Sequence, residues 1–263
     1  MKLTKQISNW IKTYAKKSKI TTLVVGVSGG IDSAVVSTLC AQTGMPTIVL
    51  SMPIHQSKAT HSLSQKHCEW LVDQFNNVKF HTVNLTSAFN QFDKAVDPLC
   101  NYNDDTYETY QLASANSRAR LRMMTLYQIA QFHNGIVVGT GNKVEDFGVG
   151  FFTKYGDGGV DISPIGDCLK TEVWEMGREL GVLDEIILAA PTDGLWDDGR
   201  TDEDQLGMTY AELEHAMALH NQDNCIYDPL ALSKTEKAQL KKYRDIRARN
   251  MHKMNPVPVF KRA

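Results

Sequence analysis

The segment Gly26-Val27-Ser28-Gly29-Gly30-Ile31-Asp32-Ser33 decides the fold, because it joins a strand-like run to a helical pattern. Residues 23–27 are apolar and rich in valine, as in a buried strand, and residues 33–41 carry apolar side chains at helical spacing. Glycines at such a junction let backbone N–H groups approach an anion, and the first turn of a helix adds unpaired donors with partial positive charge. The segment therefore predicts a phosphate-binding loop after a first strand.

Two common nucleotide-binding motifs do not fit this loop. No Gly-Lys-Ser/Thr follows at the spacing of a Walker loop, and the GxGxxG pattern of dinucleotide-binding folds is missing. A plainer interpretation is a glycine turn in which Asp32 or Ser33 caps the following helix. The loop by itself leaves both interpretations open.

Strand-like runs and helical patterns alternate on the C-terminal side of the loop. Apolar runs at residues 47–52, 78–85 and 136–139 predict buried strands, and helical spacing recurs over residues 57–75 and 107–132. Such alternation predicts an α/β fold in which right-handed crossovers build a single doubly wound parallel sheet with helices on both faces. The 263 residues suffice for one such domain, which we expect to span residues 1–263.

The rest of the chain changes in character after residue 139. A stretch rich in glycine and aspartate runs to residue 167, and an acidic segment covers residues 197–204; both predict loops that could serve as lids. Helical patterns return at residues 171–180 and 233–251. Prolines then predict an extended C-terminal tail over residues 255–263.

Composition excludes several classes of protein. The formal net charge of -2 argues against broad binding to nucleic acid or to a membrane surface. The five cysteines are scattered without a CxxC pair, which predicts reduced thiols in a cytoplasm rather than disulfides or a zinc site. The N-terminus reads as an amphipathic surface helix rather than a targeting peptide. Its predicted apolar face consists of Leu3, Ile7, Trp10, Ile11 and Tyr14.

Further motifs narrow the interpretation of the loop. The string Ser-Gly-Gly-Ile-Asp-Ser at residues 28–33 resembles the pyrophosphate-binding loop of the N-type ATP pyrophosphatases. Within that superfamily, the remaining motifs are similar, in this order along the chain, to the signatures of the NAD synthetase family. They lie at residues 118–123, 139–145, 151–164, 169–174, 190–192, 195–196 and 201–207.

The resemblance implies an adenine nucleotide alpha hydrolase-like fold and an ammonia-dependent, AMP-forming ligase. Such an enzyme converts the carboxylate of deamido-NAD into the amide of NAD through an adenylate made from ATP, and it releases AMP and pyrophosphate. The resemblance also implies a Mg²⁺ ion and a homodimer with the dinucleotide at the subunit boundary. Mg²⁺ prefers hard oxygen ligands and keeps several waters, so one or two carboxylates beside ATP oxygens suffice.

Residue by residue, the resemblance assigns three groups of contacts. ATP is assigned to the loop from Gly26 to Ser33 and to Thr140, Lys170 and Thr192. Deamido-NAD is assigned to Arg120, Lys154, Asp161, His252 and Lys253. Asp32 and Glu145 are the implied metal ligands, and Asp32 and Lys170 the implied catalytic residues.

Several of these residues have plainer interpretations. Arg120 shares a predicted helix with Arg118 and Arg122, so these arginines could form a solvated basic face. Thr192 fits a turn equally well, and the His252-Lys253 pair fits a basic helix end. A residue such as Glu145 could also serve only as an acidic partner of a helix start.

The source of ammonia is the least determined part of the sequence-based prediction. Many bacterial ammonia-dependent relatives carry Asp-His where this chain has Gly141-Asn142-Lys143, a triplet more like glutamine-dependent or archaeal forms. No Glu/Lys/Cys amidase set is visible, so we expect free ammonia, with a separate amidotransferase subunit as the alternative. Another N-type ligase and a non-catalytic nucleotide-binding module remain the rival functions.

Overall fold

Parallel strands form the centre of the protein. The computed structural model describes residues 1–56, 58–192, 201–223 and 232–262, so the motif residues Leu195 and Trp196 and the thiol of Cys225 lie outside the described residues. Within that part of the chain the strands are β1 (Thr22–Gly26), β2 (Thr47–Ser51), β3 (Val78–Thr82) and β4 (Gly135–Val137). They form one sheet in the order β3-β2-β1-β4, and every pairing is parallel. The predicted parallel sheet is confirmed.

The helices follow the strands as crossovers and then form a C-terminal group. They are α1 (Leu3–Lys17), α2 (Ile31–Gln42), α3 (Lys58–Gln74), α4 (Thr86–Cys100), α5 (Tyr107–Phe132), α6 (Lys170–Leu180), α7 (Asp184–Ile187), α8 (Asp202–Leu206), α9 (Tyr210–Asp223) and α10 (Lys234–Met254). A 3₁₀ turn at Asp104–Thr106 precedes α5, and a π-helix at Lys143–Val149 follows β4.

Each face of the sheet is covered by helices, because alternate strand residues point to opposite sides. On one face, Leu23 and Val25 of β1 pack into a cluster with residues of α1, α2 and α6. On the other face, Val24 packs with Ile48 of β2 and with Leu126 of α5. The predicted arrangement with helices on both faces is therefore confirmed.

The C-terminal helices make a further apolar cluster beside the sheet. It joins the π-helix to α8, α9 and α10 through buried residues that include Val144, Leu206, Tyr210, Leu213 and Tyr243. This cluster places α8 and α9 next to the motif that carries Glu145, and so it supplies one wall of the candidate site.

The observed elements differ from the predicted ones in specific ways. The sequence analysis predicts neither α4, which contains Pro98, nor α9, whose apolar residues form no marked helical face. On α1, Ile7 and Ile11 are buried as predicted, whereas Leu3, Trp10 and Tyr14 are exposed. Residues 256–262 belong to no helix or strand, and the extended tail stays a prediction. None of the described helices is long and apolar enough to cross a lipid bilayer.

Candidate active site

The strand order creates a crevice where the predicted loop lies. The chain steps from β1 outward to β2 and β3, then returns to place β4 on the opposite side of β1. In open α/β sheets, ligands bind outside the carboxyl ends of the strands at such a switch point. The loop after β1 and Thr140 after β4 both lie at this edge, because β1 and β4 are neighbouring parallel strands.

Hydrogen bonds within the loop fix its conformation. Ser28 N donates to Ser33 Oγ at 3.2 Å, Gly30 N donates to Ser28 Oγ at 3.2 Å, and Ser33 Oγ donates to Gly30 O at 2.9 Å. Gly29 has φ of 96°, a conformation that L side chains rarely adopt. Gly30 then caps the start of α2, whose first turn contains Asp32. The loop thus presents backbone donors at a helix N-terminus, which is an anion-binding geometry.

Three charged residues from distant parts of the chain meet beside this loop. Lys170 Nζ, at the first residue of α6, lies 2.5 Å from Asp32 Oδ2 and 2.9 Å from Glu145 Oε1. The Lys170 side chain is only 2% exposed, and the two carboxylates are 17% and 14% exposed. The structure therefore brings together the predicted catalytic residues and the predicted metal ligands.

Burial and pairing set the charges in this cluster. Burial lowers the pKa of Lys170, but Asp32 and Glu145 together raise it above its ordinary value, so the ammonium stays charged. Burial raises the pKa of Glu145, yet Lys170 and a hydrogen bond from Tyr210 hold it below its usual range. For Asp32, burial raises the pKa and Lys170 offsets this only in part. The cluster holds two acids and one ammonium, so it is net negative, and attracts a further cation, when both carboxylates are ionised.

The donor set fits a hard divalent cation. The Asp32 and Glu145 carboxylates converge on one cationic atom, and carboxylate oxygens are the ligands that Mg²⁺ prefers. No group of three or more His, Cys, Asp or Glu residues that could hold a metal occurs among the described residues. Two carboxylates are nevertheless enough where nucleotide oxygens and waters complete the coordination.

Asn142 links the two carboxylate-bearing segments. Its Nδ2 donates to Asp32 Oδ1 at 3.0 Å, and its Oδ1 accepts from Val144 N and Glu145 N, each at 3.0 Å. The side chain therefore caps the π-helix that carries Glu145 and orients Asp32 at the same time. In the sequence, Asn142 served only as a clue to the ammonia source; an Asn just before a helix start is the signal for this second role.

Tyr210 and Asp202 complete the cluster from the C-terminal side. The Tyr210 hydroxyl donates to Glu145 Oε1 and lies 3.2 Å from Asp202 Oδ2. Burial and the nearby carboxylates raise the pKa of Tyr210 well above its usual range, so it stays a neutral donor. Asp202 lies in the motif at residues 201–207, to which the sequence analysis gives no chemical role, and Tyr210 lies outside every motif. Neither was predicted as a site residue.

The residues assigned to deamido-NAD gather along α5 and the end of α10. Arg120 Nε donates to Lys154 O at 3.2 Å, and Lys154 Nζ donates to His252 O at 2.9 Å. Lys253 Nζ donates to Phe152 O at 2.7 Å. Arg120 is exposed, and so the structure leaves its guanidinium accessible to a ligand as well as to solvent.

Asp161 has a clear structural contact of its own. Its carboxylate accepts from Val137 N at 2.8 Å and from the Tyr127 hydroxyl at 3.1 Å. Tyr127 lies seven residues after Arg120 on α5, and a spacing of seven places both on one helix face. Thr192 is exposed and follows Pro191, whose carbonyl accepts from Asp202 N at 3.0 Å. The ligand contacts assigned to Asp161 and Thr192 stay predictions.

A family model and a sequence relative both match this chain over nearly its whole length. The family model described as NAD synthase matches residues 3–257. The NH(3)-dependent NAD(+) synthetase of Mycoplasma genitalium is 37% identical over an alignment that covers 99% of this chain and 96% of the relative.

Two solved structures share the fold over nearly the whole chain. An NMN synthetase from Francisella tularensis is 30% identical with a TM-score of 0.80, and the alignment covers 98% of this chain and 96% of that one. An NH3-dependent NAD synthetase from Campylobacter jejuni in complex with the nitrate ion is 24% identical with a TM-score of 0.74, and it covers 98% of both chains. At that identity the second likeness supports the fold alone.

Proposed function

Because this chain belongs to the NAD synthase family, we propose that it amidates the carboxylate of deamido-NAD to form NAD. The reaction consumes ATP and ammonia and releases AMP and pyrophosphate. The observation that carries the proposal is the convergence of Asp32, Glu145 and Lys170 beside the glycine loop at the switch point of the sheet.

The chemistry requires positioning more than it requires a reactive side chain. A carboxylate oxygen is a poor leaving group, so it must first attack the α-phosphorus of ATP and become an acyl adenylate. Ammonia then displaces AMP through a tetrahedral oxyanion, which preorganised donors and cations stabilise. In this proposal the loop from Gly26 to Ser33 binds the pyrophosphate portion of ATP, and Lys170 offsets the charge of the phosphates.

A Mg²⁺ ion is part of the proposal. Asp32 and Glu145 would hold it, and the ion would supply charge neutralisation for the phosphate oxygens of ATP. The two convergent carboxylates beside the loop, which are hard oxygen donors, support this role.

The substrate assay tests the function directly. Purified protein should release pyrophosphate from ATP only when deamido-NAD is present, and it should form NAD with NH4Cl. The variant Asp32→Asn keeps the size of the side chain but lowers its charge, and turnover should fall by about 10²-fold or more if Asp32 anchors catalytic metal. Nucleotide binding without pyrophosphate release would favour a non-catalytic module instead.

A mononucleotide is the second candidate substrate. It is motivated by the likeness to the Francisella tularensis NMN synthetase, which spans nearly the full length of both chains. The ratio of kcat/KM for deamido-NAD to that for the deamidated form of NMN separates the two candidates. We expect the dinucleotide to be preferred; a ratio below one would reassign the substrate.

Free ammonia is the proposed nitrogen donor. Activity with NH4Cl and none with glutamine is the expected result for the purified chain. Glutamine-dependent activity of the pure protein would contradict the proposal, and glutamine-dependent activity that appears only with a second subunit would support a separate amidotransferase.

A homodimer in the cytoplasm completes the proposal. Apolar side chains are exposed on α4 and α5, including Leu99 at 83%, Met124 at 64% and Phe132 at 79%. Where such side chains form one contiguous patch, they mark an interaction site in soluble proteins. The cytoplasmic location rests on the scattered cysteines without a CxxC pair, which predict reduced thiols. Sedimentation equilibrium would measure the oligomeric state.

A further inference from the structure

The hydroxyl of Tyr210 occupies a central position in the charged cluster. It contacts Glu145 Oε1 on one side and lies 3.2 Å from Asp202 Oδ2 on the other. Tyr210 is 2% exposed and Asp202 is 6% exposed, so neither contact is a solvent-exposed surface interaction. Buried polar contacts of this kind fix side-chain geometry more strictly than exposed ones.

Two contacts of the Tyr210 ring restrain the side chain and keep its hydroxyl beside Glu145. Its edge packs against Trp174, with ring centroids 5.8 Å apart at an angle of 84°. Lys170 Nζ lies 4.9 Å from the Tyr210 ring centroid. Tyr210 therefore contacts the same ammonium that joins Asp32 to Glu145, through its ring rather than its hydroxyl.

The two donors at Glu145 use the same carboxylate oxygen. Lys170 Nζ lies 2.9 Å from Oε1, and the Tyr210 hydroxyl also donates to Oε1. Neither donor bonds Oε2. Two donors on one oxygen set the rotation of the carboxylate, and the Asn142 side chain is a further hydrogen-bond partner of Glu145. Partners of this kind orient metal-binding carboxylates.

Backbone contacts tie this arrangement to the C-terminal segment. Tyr210 N donates to Glu203 Oε1 at 2.9 Å, and Asp202 N donates to Pro191 O at 3.0 Å. The start of α8 and the start of α9 thus hold the tyrosine from one side, while the π-helix presents Glu145 from the other. Residues far apart in sequence meet at one carboxylate.

We propose that Tyr210, whose hydroxyl lies between Glu145 and Asp202, is a positioning residue that fixes the Glu145 carboxylate for cation binding. The inference rests on the metal role given to Glu145 in the proposed function. Tyr210 acts through Glu145 and needs no contact with either nucleotide.

A binding experiment tests this role without turnover. Mn²⁺ replaces Mg²⁺ as the probe, and the non-hydrolysable analogue α,β-methylene-ATP supplies the phosphate oxygens. Electron paramagnetic resonance of free Mn²⁺ gives the dissociation constant. Loss of a partner that orients a metal ligand typically costs about 10- to 100-fold in metal affinity, and we expect a loss in that range for Tyr210→Phe.

Tyr243→Phe is the matched control. Tyr243 is 1% exposed and lies in the same apolar cluster, but its hydroxyl interacts with Arg247 rather than with Glu145. Its Mn²⁺ affinity should equal that of the wild type. Steady-state assays add a second readout: Tyr210→Phe should lower kcat and raise the Mg²⁺ requirement while KM for deamido-NAD stays unchanged.

The outcomes separate this inference from the function. Wild-type Mn²⁺ affinity in folded Tyr210→Phe overturns the positioning role, and so does wild-type affinity in Glu145→Gln, because Glu145 would then bind no cation. Should Tyr210→Phe fail to fold, Asp202→Asn changes the second polar contact of the Tyr210 hydroxyl with little change of shape, and its Mn²⁺ affinity decides the question: wild-type affinity overturns the positioning role. Failure of the proposed function would appear separately, as no deamido-NAD-dependent pyrophosphate release by the wild type.

Discussion

Replacing Lys170 with methionine removes the ammonium that Asp32 and Glu145 share. The two carboxylates then face each other with 17% and 14% exposure and without that cation. Removing one partner of a buried ion pair typically costs about 3–5 kcal/mol, because the remaining charge stays buried and uncompensated. For a chain of this size the loss corresponds to a fall of roughly 10 °C in Tm.

Urea unfolding at pH 7 measures the loss, since urea does not screen charge. Lys143→Met is the matched control, because Lys143 Nζ lies 2.8 Å from Asp167 Oδ1 but the side chains are 36% and 96% exposed. An exposed pair contributes at most about 1 kcal/mol. Mg²⁺ should stabilise Lys170→Met, by about 2.7 kcal/mol at 100 times its Kd, if the carboxylates bind it.

The pH dependence gives an independent check. Without the lysine, burial and mutual repulsion raise the folded-state pKa values of both carboxylates above their unfolded values. The loss of stability in Lys170→Met is then complete at pH values above the raised folded-state pKa values, and it vanishes below the unfolded-state pKa values. The free energy of unfolding of Lys170→Met should therefore approach that of the wild type as the pH falls towards about 4. Equal losses in Lys170→Met and Lys143→Met at pH 7 would refute the shared-ammonium account.

Three further substitutions test separate parts of the structure. Burial lowers the pKa of His67 to about 4. Because the unfolded state then binds a proton more readily than the folded state, the free energy of unfolding should fall by about 3 kcal/mol between pH 6.5 and pH 4. In urea unfolding experiments, His67→Gln should lack this pH-dependent loss. Asn142→Ala should lose about 2–3 kcal/mol in the same assay, as a helix cap and a carboxylate contact disappear; an unchanged midpoint would contradict this. Gly158→Ala places Cβ 2.2 Å from Phe152 Cδ2, so KM for deamido-NAD should rise more than KM for ATP; equal changes would count against the assigned dinucleotide site.

The sheet, the long helix α5 and the glycine loop could be predicted from local sequence patterns. The run before Gly26 is apolar on both faces because β1 is covered on both sides, and α5 begins at residue 107 and ends at residue 132, as its spacing predicts. The glycine loop could be located for the same reason, since φ of 96° at Gly29 needs a residue without Cβ. Periodicity and backbone sterics are properties of neighbouring residues.

The candidate site was predictable only where a motif carried it. Asp32, Glu145 and Lys170 lie in strings that resemble one family, and the structure brings them together. Tyr210 lies outside every motif, and the motif at residues 201–207 gives Asp202 no role. Both were missed because their contact with Glu145 arises from the packing of α8 and α9 against the π-helix, which no spacing within the chain encodes. Long-range packing decides which polar groups become partners.

The π-helix at Lys143–Val149 has a consequence for how this architecture can vary in length. A π turn closes its hydrogen bond one residue later than an α turn, so this winding accommodates an additional residue within one helical segment. Gain or loss of a residue here can be absorbed by a change between the two windings. The strand before the π-helix and the residues after it can then keep their places. The number of residues between the motif at 139–145 and the motif at 151–164 can therefore change by one while Glu145 stays opposite Lys170.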